Sequence, residues 1–170
     1  YIVAPNKYHY SYILDWYNHY PKAKIWLAKG VSDKLKVEEK ENFISFNSIS
    51  KTVWSEEILF TPFKGSIAME EIVFFHRESS TLILTDLIEN IEVNELPLFY
   101  KLLFRVGDNQ YPKSRTPRDL RLSFLFKKKA IESYNRIENW KADKIIFSHG
   151  RIILENGSKK LKEAFFWLRK

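Results

Sequence analysis

The stretch EIVFFHRESSTLILTDLIE, residues 71–89, decides how this chain is read. Apolar runs at residues 72–75 and 82–84 flank a polar segment, residues 76–80. β-Branched and aromatic runs joined by a polar turn predict an antiparallel hairpin. The second run is apolar at consecutive positions, which predicts a central strand covered on both faces. It ends in Thr85-Asp86, and an acid after such a strand sits at the C-terminal edge of a layered α/β sheet. Residues 144–150, KIIFSHG, repeat the logic with His149 and Gly150. These two strand ends, carrying Asp86 and His149, are the sharpest functional signal in the chain.

A chain of 170 residues is expected to form a single domain, 1–170, with a sizeable core. Hydrophobic residues make up 45% and charged residues 29%, the balance of a soluble globular protein. Aromatic content of 16% predicts a core rich in Phe, Tyr and Trp. With no cysteine, disulfides, thiolate metal ligands and a cysteine nucleophile are excluded. No apolar run approaches the roughly 20 residues that span a bilayer, so no membrane partner is expected. A cytoplasmic location is expected, although a targeting segment upstream of the strand-like IVAP at residues 2–5 stays open. The net charge of +7 permits an anionic partner. A solvated basic surface is the simpler reading, and specific nucleic-acid binding is not expected.

Taken in order, residues 1–4 predict a strand stopped by Pro5-Asn6, and residues 7–20 a helix closed by Pro21. Residues 24–28 predict a second strand, which makes a parallel βαβ unit. Residues 31–51 are polar, with a short helix expected over 33–40 and loop elsewhere. Residues 56–63 predict a strand, followed by a turn at Gly65. Residues 94–106 have an amphipathic helical pattern, ended by Gly107-Asp108-Asn109. A basic loop, residues 110–117, precedes one long helix from residue 117 to about 140. Residues 144–148 predict the last clear strand, and residues 158–170 a closing helix with Leu161, Ala164, Phe165 and Leu168 inward.

The phrases VAPNKYH, PKAKIWLAKG, EEIVFFHRESSTLILTDL and KIIFSHG, in this order, resemble the metallo-β-lactamase superfamily. The resemblance implies an α/β fold, an αββα sandwich with a metal site along one edge between its sheets, here without its N-terminal strands. It also implies the superfamily motif H-x-H-x-D-H in the first loop. Aligned on this chain, that motif falls on Asn6, Tyr8, Tyr10 and Ser11. None of these is a good zinc ligand at neutral pH. Lys64 stands where a further histidine is implied, and His9 is out of register. Asp86 matches the bridging carboxylate and His149 the last histidine, so the resemblance implies a half-dismantled site.

A catalytic zinc takes three protein ligands and an open position. Asp86 and His149 supply two. His9 or His76 would supply a third if the fold brought it to within about 2.1 Å of the same ion. Zinc, iron and manganese are the candidate metals. The metal-free state is the leading expectation, with an ionised Asp86 orienting the His149 ring directly. Lys113, Arg115 and Arg118 form a basic stretch suited to a phosphate or carboxylate. Catalytic residues are left unassigned, as is the oligomeric state. Two functions follow. One is a divergent metal-dependent hydrolase acting on an ester, thioester, lactone or phosphoester. The other is a non-catalytic binding or scaffold protein recognising an anionic small-molecule ligand. Glu70-Glu71 is not expected to share an ion, because strand alternation separates the two side chains.

Overall fold

The computed structural model describes residues 1–36, 42–46 and 53–169. Two sheets form its centre. The first holds β1 (Ile2–Ala4), β2 (Ile25–Leu27) and β3 (Phe43–Ser45), all parallel. Between β1 and β2 runs α1 (Ile13–His19), which packs on β1 as the predicted βαβ unit requires. A short helix, α2 (Val31–Leu35), follows β2. The expected helix over 33–40 overlaps α2, and its residues 37–40 lie outside the described residues. The loop expected around residue 44 is instead the edge strand β3, whose Phe43 is buried.

The second sheet has the order β4-β5-β6-β7, with β4 at Ile58–Phe63, β5 at Glu71–His76, β6 at Thr81–Ile83 and β7 at Lys144–Ile146. The hairpin β5-β6 is antiparallel, and β6 is central, as its unbroken apolar run required. Alternation along β5 divides the core. Ile72 and Phe74 turn to the first sheet, where Phe74 meets Phe46 and Phe46 meets Trp26. Val73 and Phe75 turn to the opposite cluster, built on Phe63, Leu82, Ile145, Leu161 and Phe165. That cluster is covered by α5 (Lys127–Asn139) and α6 (Gly157–Ala164). The result is an αββα sandwich with an aromatic seam between its sheets.

The longer predicted helices are shorter than their patterns; the closing one, expected over 158–170, is α6 followed by a 3-10 turn at Phe166–Leu168. The expected helix over 7–20 begins only at Ile13, because Asn6 Oδ1 accepts the Tyr8 and His9 amides at 2.8 and 2.9 Å. This asparagine turn holds the chain out of helical geometry. The expected helix over 117–140 is two: α4 (Arg118–Ser123) and α5. Phe124 leaves the helix to bury itself against Phe63 and Trp167, and the Phe126 amide bonds the Gly65 carbonyl instead. The amphipathic segment forms α3 (Leu98–Gly107), yet none of its residues is buried. No described helix is long and apolar enough to cross a membrane.

Candidate metal centre

Strand register brings Asp86 and His149 together. In the parallel pair β6-β7, Ile83 stands opposite Ile146. Asp86 lies three residues beyond the first and His149 three beyond the second, so both emerge at the same sheet edge. The β1 loop reaches this edge because the Ile72 amide bonds the Pro5 carbonyl at 2.8 Å, which ties the sheets together there. The asparagine turn then aims His9 inward. His9 Nε2 lies 2.9 Å and His149 Nε2 3.1 Å from the same Asp86 oxygen, Oδ1.

A buried polar shell fixes this geometry. Asn6 is wholly buried, and its Nδ2 lies 2.7 Å from Asp86 Oδ2, 2.8 Å from Thr85 Oγ1 and 3.2 Å from Glu71 Oε2. Glu71, also wholly buried, accepts the Thr85 amide at 2.7 Å and the Asp86 amide at 2.9 Å. Burial raises the Glu71 carboxyl above its ordinary value, against the Thr85 and Asp86 amides that lower it. On the other side, Gly150 lets the His149 loop lie directly on Asn90. The Asn90 amide bonds the His149 carbonyl at 3.0 Å, and the Arg151 amide returns a bond to Asn90. Gly150 has φ +92°, and a Cβ there would overlap the Asn90 carbonyl, so the position requires glycine.

His9, Asp86 and His149 are the described side chains whose donor atoms lie within 4.8 Å of one another as a possible ion-binding group. Two imidazoles and one carboxylate suit zinc, iron or manganese. In a tetrahedral site neighbouring donors stand about 3.4 Å apart, so adjustments of a few tenths of an ångström open the two Asp86 contacts for an ion. Asn6 on the far Asp86 oxygen supplies the supporting hydrogen bond that such ligands need. Side-chain exposures of 31% for His9, 15% for Asp86 and 44% for His149 leave an open approach. These donors therefore fit a single metal ion with a free position.

The remaining sequence candidates sit elsewhere. His76 is at the opposite end of β5 from Glu71, five residues or roughly 16 Å away along the strand. Its Nδ1 is paired with Ser79 Oγ at 2.8 Å. Lys64 is exposed, and its amide bonds Ser133 Oγ. The basic stretch does not converge. Arg115 contacts both oxygens of Asp108, at 2.9 and 2.7 Å, and lies over Phe166. Burial opposes ionisation of Asp108, but Arg115 and Arg121 outweigh it and hold its carboxyl below the usual range. Arg118 alone of the three predicted cations lines the cavity of about 760 Å³ that opens onto His9, Asp86 and His149. Leu103 and Val106 of α3 and Leu122 of α4 also line it.

Sequence reasoning missed Glu89, which lines the same cavity and accepts a 2.6 Å bond from Asn109 Nδ2. Burial raises its carboxyl above the ordinary value, partly offset by Asn109 and by His149. The available signal was its position three residues past Asp86, at the same sheet edge. The sequence offers Glu71 only as one of an acidic pair that does not share an ion, and Asn6 as a poor ligand; the structure makes both buried supports of Asp86.

No family model matches this sequence, and no curated protein matches it. Solved structures do match its fold. Against the DIM-1 metallo-β-lactamase in a crystal exposed to ceftazidime, the TM-score is 0.53 at 14% identity, over 94% of this chain and 64% of that one. A second DIM-1 crystal gives 0.52 at 15% identity, over 95% of this chain and 67% of that one. TMB-1 gives 0.56 at 12% identity, over 99% of this chain and 68% of that one. The chain thus spans about two thirds of the length of these neighbours, and with two stacked sheets and flanking helices it has the metallo-β-lactamase fold.

Proposed function

We propose that this chain is a divergent, metal-dependent hydrolase of the metallo-β-lactamase superfamily that works with one ion. The observation that carries this is the convergence of His9, Asp86 and His149 on one open point at the shared sheet edge. His9 Nε2, Asp86 Oδ1 and His149 Nε2 would hold zinc, iron or manganese. When bound, such an ion supplies Lewis acidity and a water of lowered pKa. Asn6 keeps the Asp86 carboxylate turned toward the cavity. Glu89 offers a carboxyl for moving a proton within the same cavity. Arg118, on its wall, offers charge to an anionic part of an ester, thioester, lactone or phosphoester.

One observation favours a second reading, a metal-free binding protein. Asp86 Oδ1 is already satisfied by both imidazoles, so the three side chains form a closed clasp without an ion. The anionic ligand would then sit at Arg118. Metal analysis of protein purified without chelator separates the two. Stoichiometric metal that is lost in Asp86→Ala and in His149→Ala, together with ester hydrolysis lost in the same variants, supports the hydrolase. A folded wild-type protein that neither carries nor takes up zinc, iron or manganese refutes it.

A further inference from the structure

The helix α3 is amphipathic, but its apolar arc faces solvent. At about 100° per residue, Leu98, Phe99, Leu102, Leu103 and Val106 share one arc of about 140°, with Lys101 and Arg105 along one edge of it. All five are between 51% and 81% exposed. Leu122, Leu125 and Phe126, at the α4–α5 turn, are 75%, 65% and 55% exposed. Leu122 lines one cavity with Leu103 and Val106, so the two apolar surfaces adjoin. A patch of this kind marks an interaction site rather than ordinary surface.

Charge says what the partner is. Residues 98–129 contain nine of the chain's 28 cations and two of its 21 acids, a local charge of +7. That equals the net charge of the whole chain, because the other 19 cations and 19 acids cancel. Lys127, Lys128 and Lys129 follow Phe126 directly and are exposed. A second copy would bring two such faces together against their repulsion. A polyphosphate would leave the leucines and phenylalanines in water. A lipid surface with anionic headgroups satisfies both sets, taking the apolar side chains into the acyl boundary and the cations at the phosphates.

We propose that α3 and the α4–α5 turn dock this protein on an anionic membrane surface. The contact is peripheral: a helix of ten residues lies along a bilayer and does not cross it. It is independent of the hydrolase reading, since no metal-site residue takes part. Leu103, Val106 and Leu122 of the docking face also line the cavity beside the metal centre.

The test is co-sedimentation of the whole chain with vesicles of phosphatidylcholine, with and without phosphatidylglycerol. Binding is expected to the anionic vesicles only, and to fall steeply with salt. Phe99→Glu is expected to abolish it with unchanged thermal stability, because Phe99 is 71% exposed. Neutralising Lys127, Lys128 and Lys129 to Gln is expected to weaken it about 100-fold, at about tenfold for each 1.4 kcal/mol. Three results overturn the proposal. One is no binding to anionic vesicles. Another is a dimer in ultracentrifugation that Phe99→Glu dissociates. The last is duplex DNA binding that exceeds vesicle binding and ignores Phe99→Glu.

Discussion

Replacing Asn6 by Asp tests the buried support of the metal centre most directly. The substitution keeps the side-chain shape and leaves Oδ1 to accept the Tyr8 and His9 amides. It turns Nδ2, a donor with two hydrogens, into an oxygen facing Glu71, Thr85 and Asp86. At most two of those three contacts are made at once. The 2.7 Å bond to Asp86 counts for about 2 kcal/mol and one further bond for about 1 kcal/mol, a loss of about 3 kcal/mol at neutral pH. Against a total stability of about 5–15 kcal/mol, that is a large fraction. Crowding by Glu71 and Asp86 would raise the pKa of the new carboxyl in the folded state. The penalty therefore falls to about 1 kcal/mol below the unfolded value, about 3.9, where the protonated carboxyl restores one of the two donors, and grows as pH rises through the raised folded value. Urea unfolding followed by tryptophan fluorescence at neutral and at acid pH measures both. A variant within about 0.5 kcal/mol of wild type at neutral pH would refute the assignment of Asn6 as a buried donor.

The other predictions are simpler. Asp108, held below the usual carboxylate range by Arg115 and Arg121, contributes stability that is present above about pH 3.9 and lost as pH falls through its lowered folded value. Asp108→Asn should thus cost about 1–2 kcal/mol at neutral pH in chemical denaturation and converge with wild type in acid. Gly150→Ala should cost about 1–3 kcal/mol and displace His149, read as a lower melting temperature together with weaker zinc binding by calorimetry. Phe63 is 1% exposed and stacks on Phe165 at 5.1 Å, so Phe63→Ala should lose about 3–5 kcal/mol without changing the metal centre. His76→Ala, far along β5 from Asp86, should leave metal content at the wild-type level by mass spectrometry.

Much of the second sheet was legible because its signals are local. The hairpin, the central strand and the paired strand ends follow from apolar runs and their punctuation, and β6-β7 pairing places Asp86 beside His149. His9 was harder to place. A linear motif alignment puts it out of register, but the asparagine turn changes which residues share a direction. His76 falls away for the complementary reason: in an antiparallel hairpin the ends of consecutive strands lie at opposite edges, so His76 faces Thr81 at the start of β6 and not Asp86 beyond its end. The break between α4 and α5 has no glycine or proline to announce it. It arises from Phe124 packing under Trp167 and Phe63, a tertiary effect. The pattern of α3 correctly marked a helix, but periodicity cannot say whether an apolar stripe meets a core or water.

The equal offsets of Asp86 and His149 from their facing partners Ile83 and Ile146 make the centre a vernier for its own sheet. Sliding β7 past β6 by two residues would keep every side chain on its face, yet part the two groups by about 7 Å. An ion gripped by both would penalise that slip, so it would act as a rivet on strand alignment as well as a reagent. A rise in melting temperature on adding zinc, absent from His149→Ala, would then report the alignment of the strands themselves.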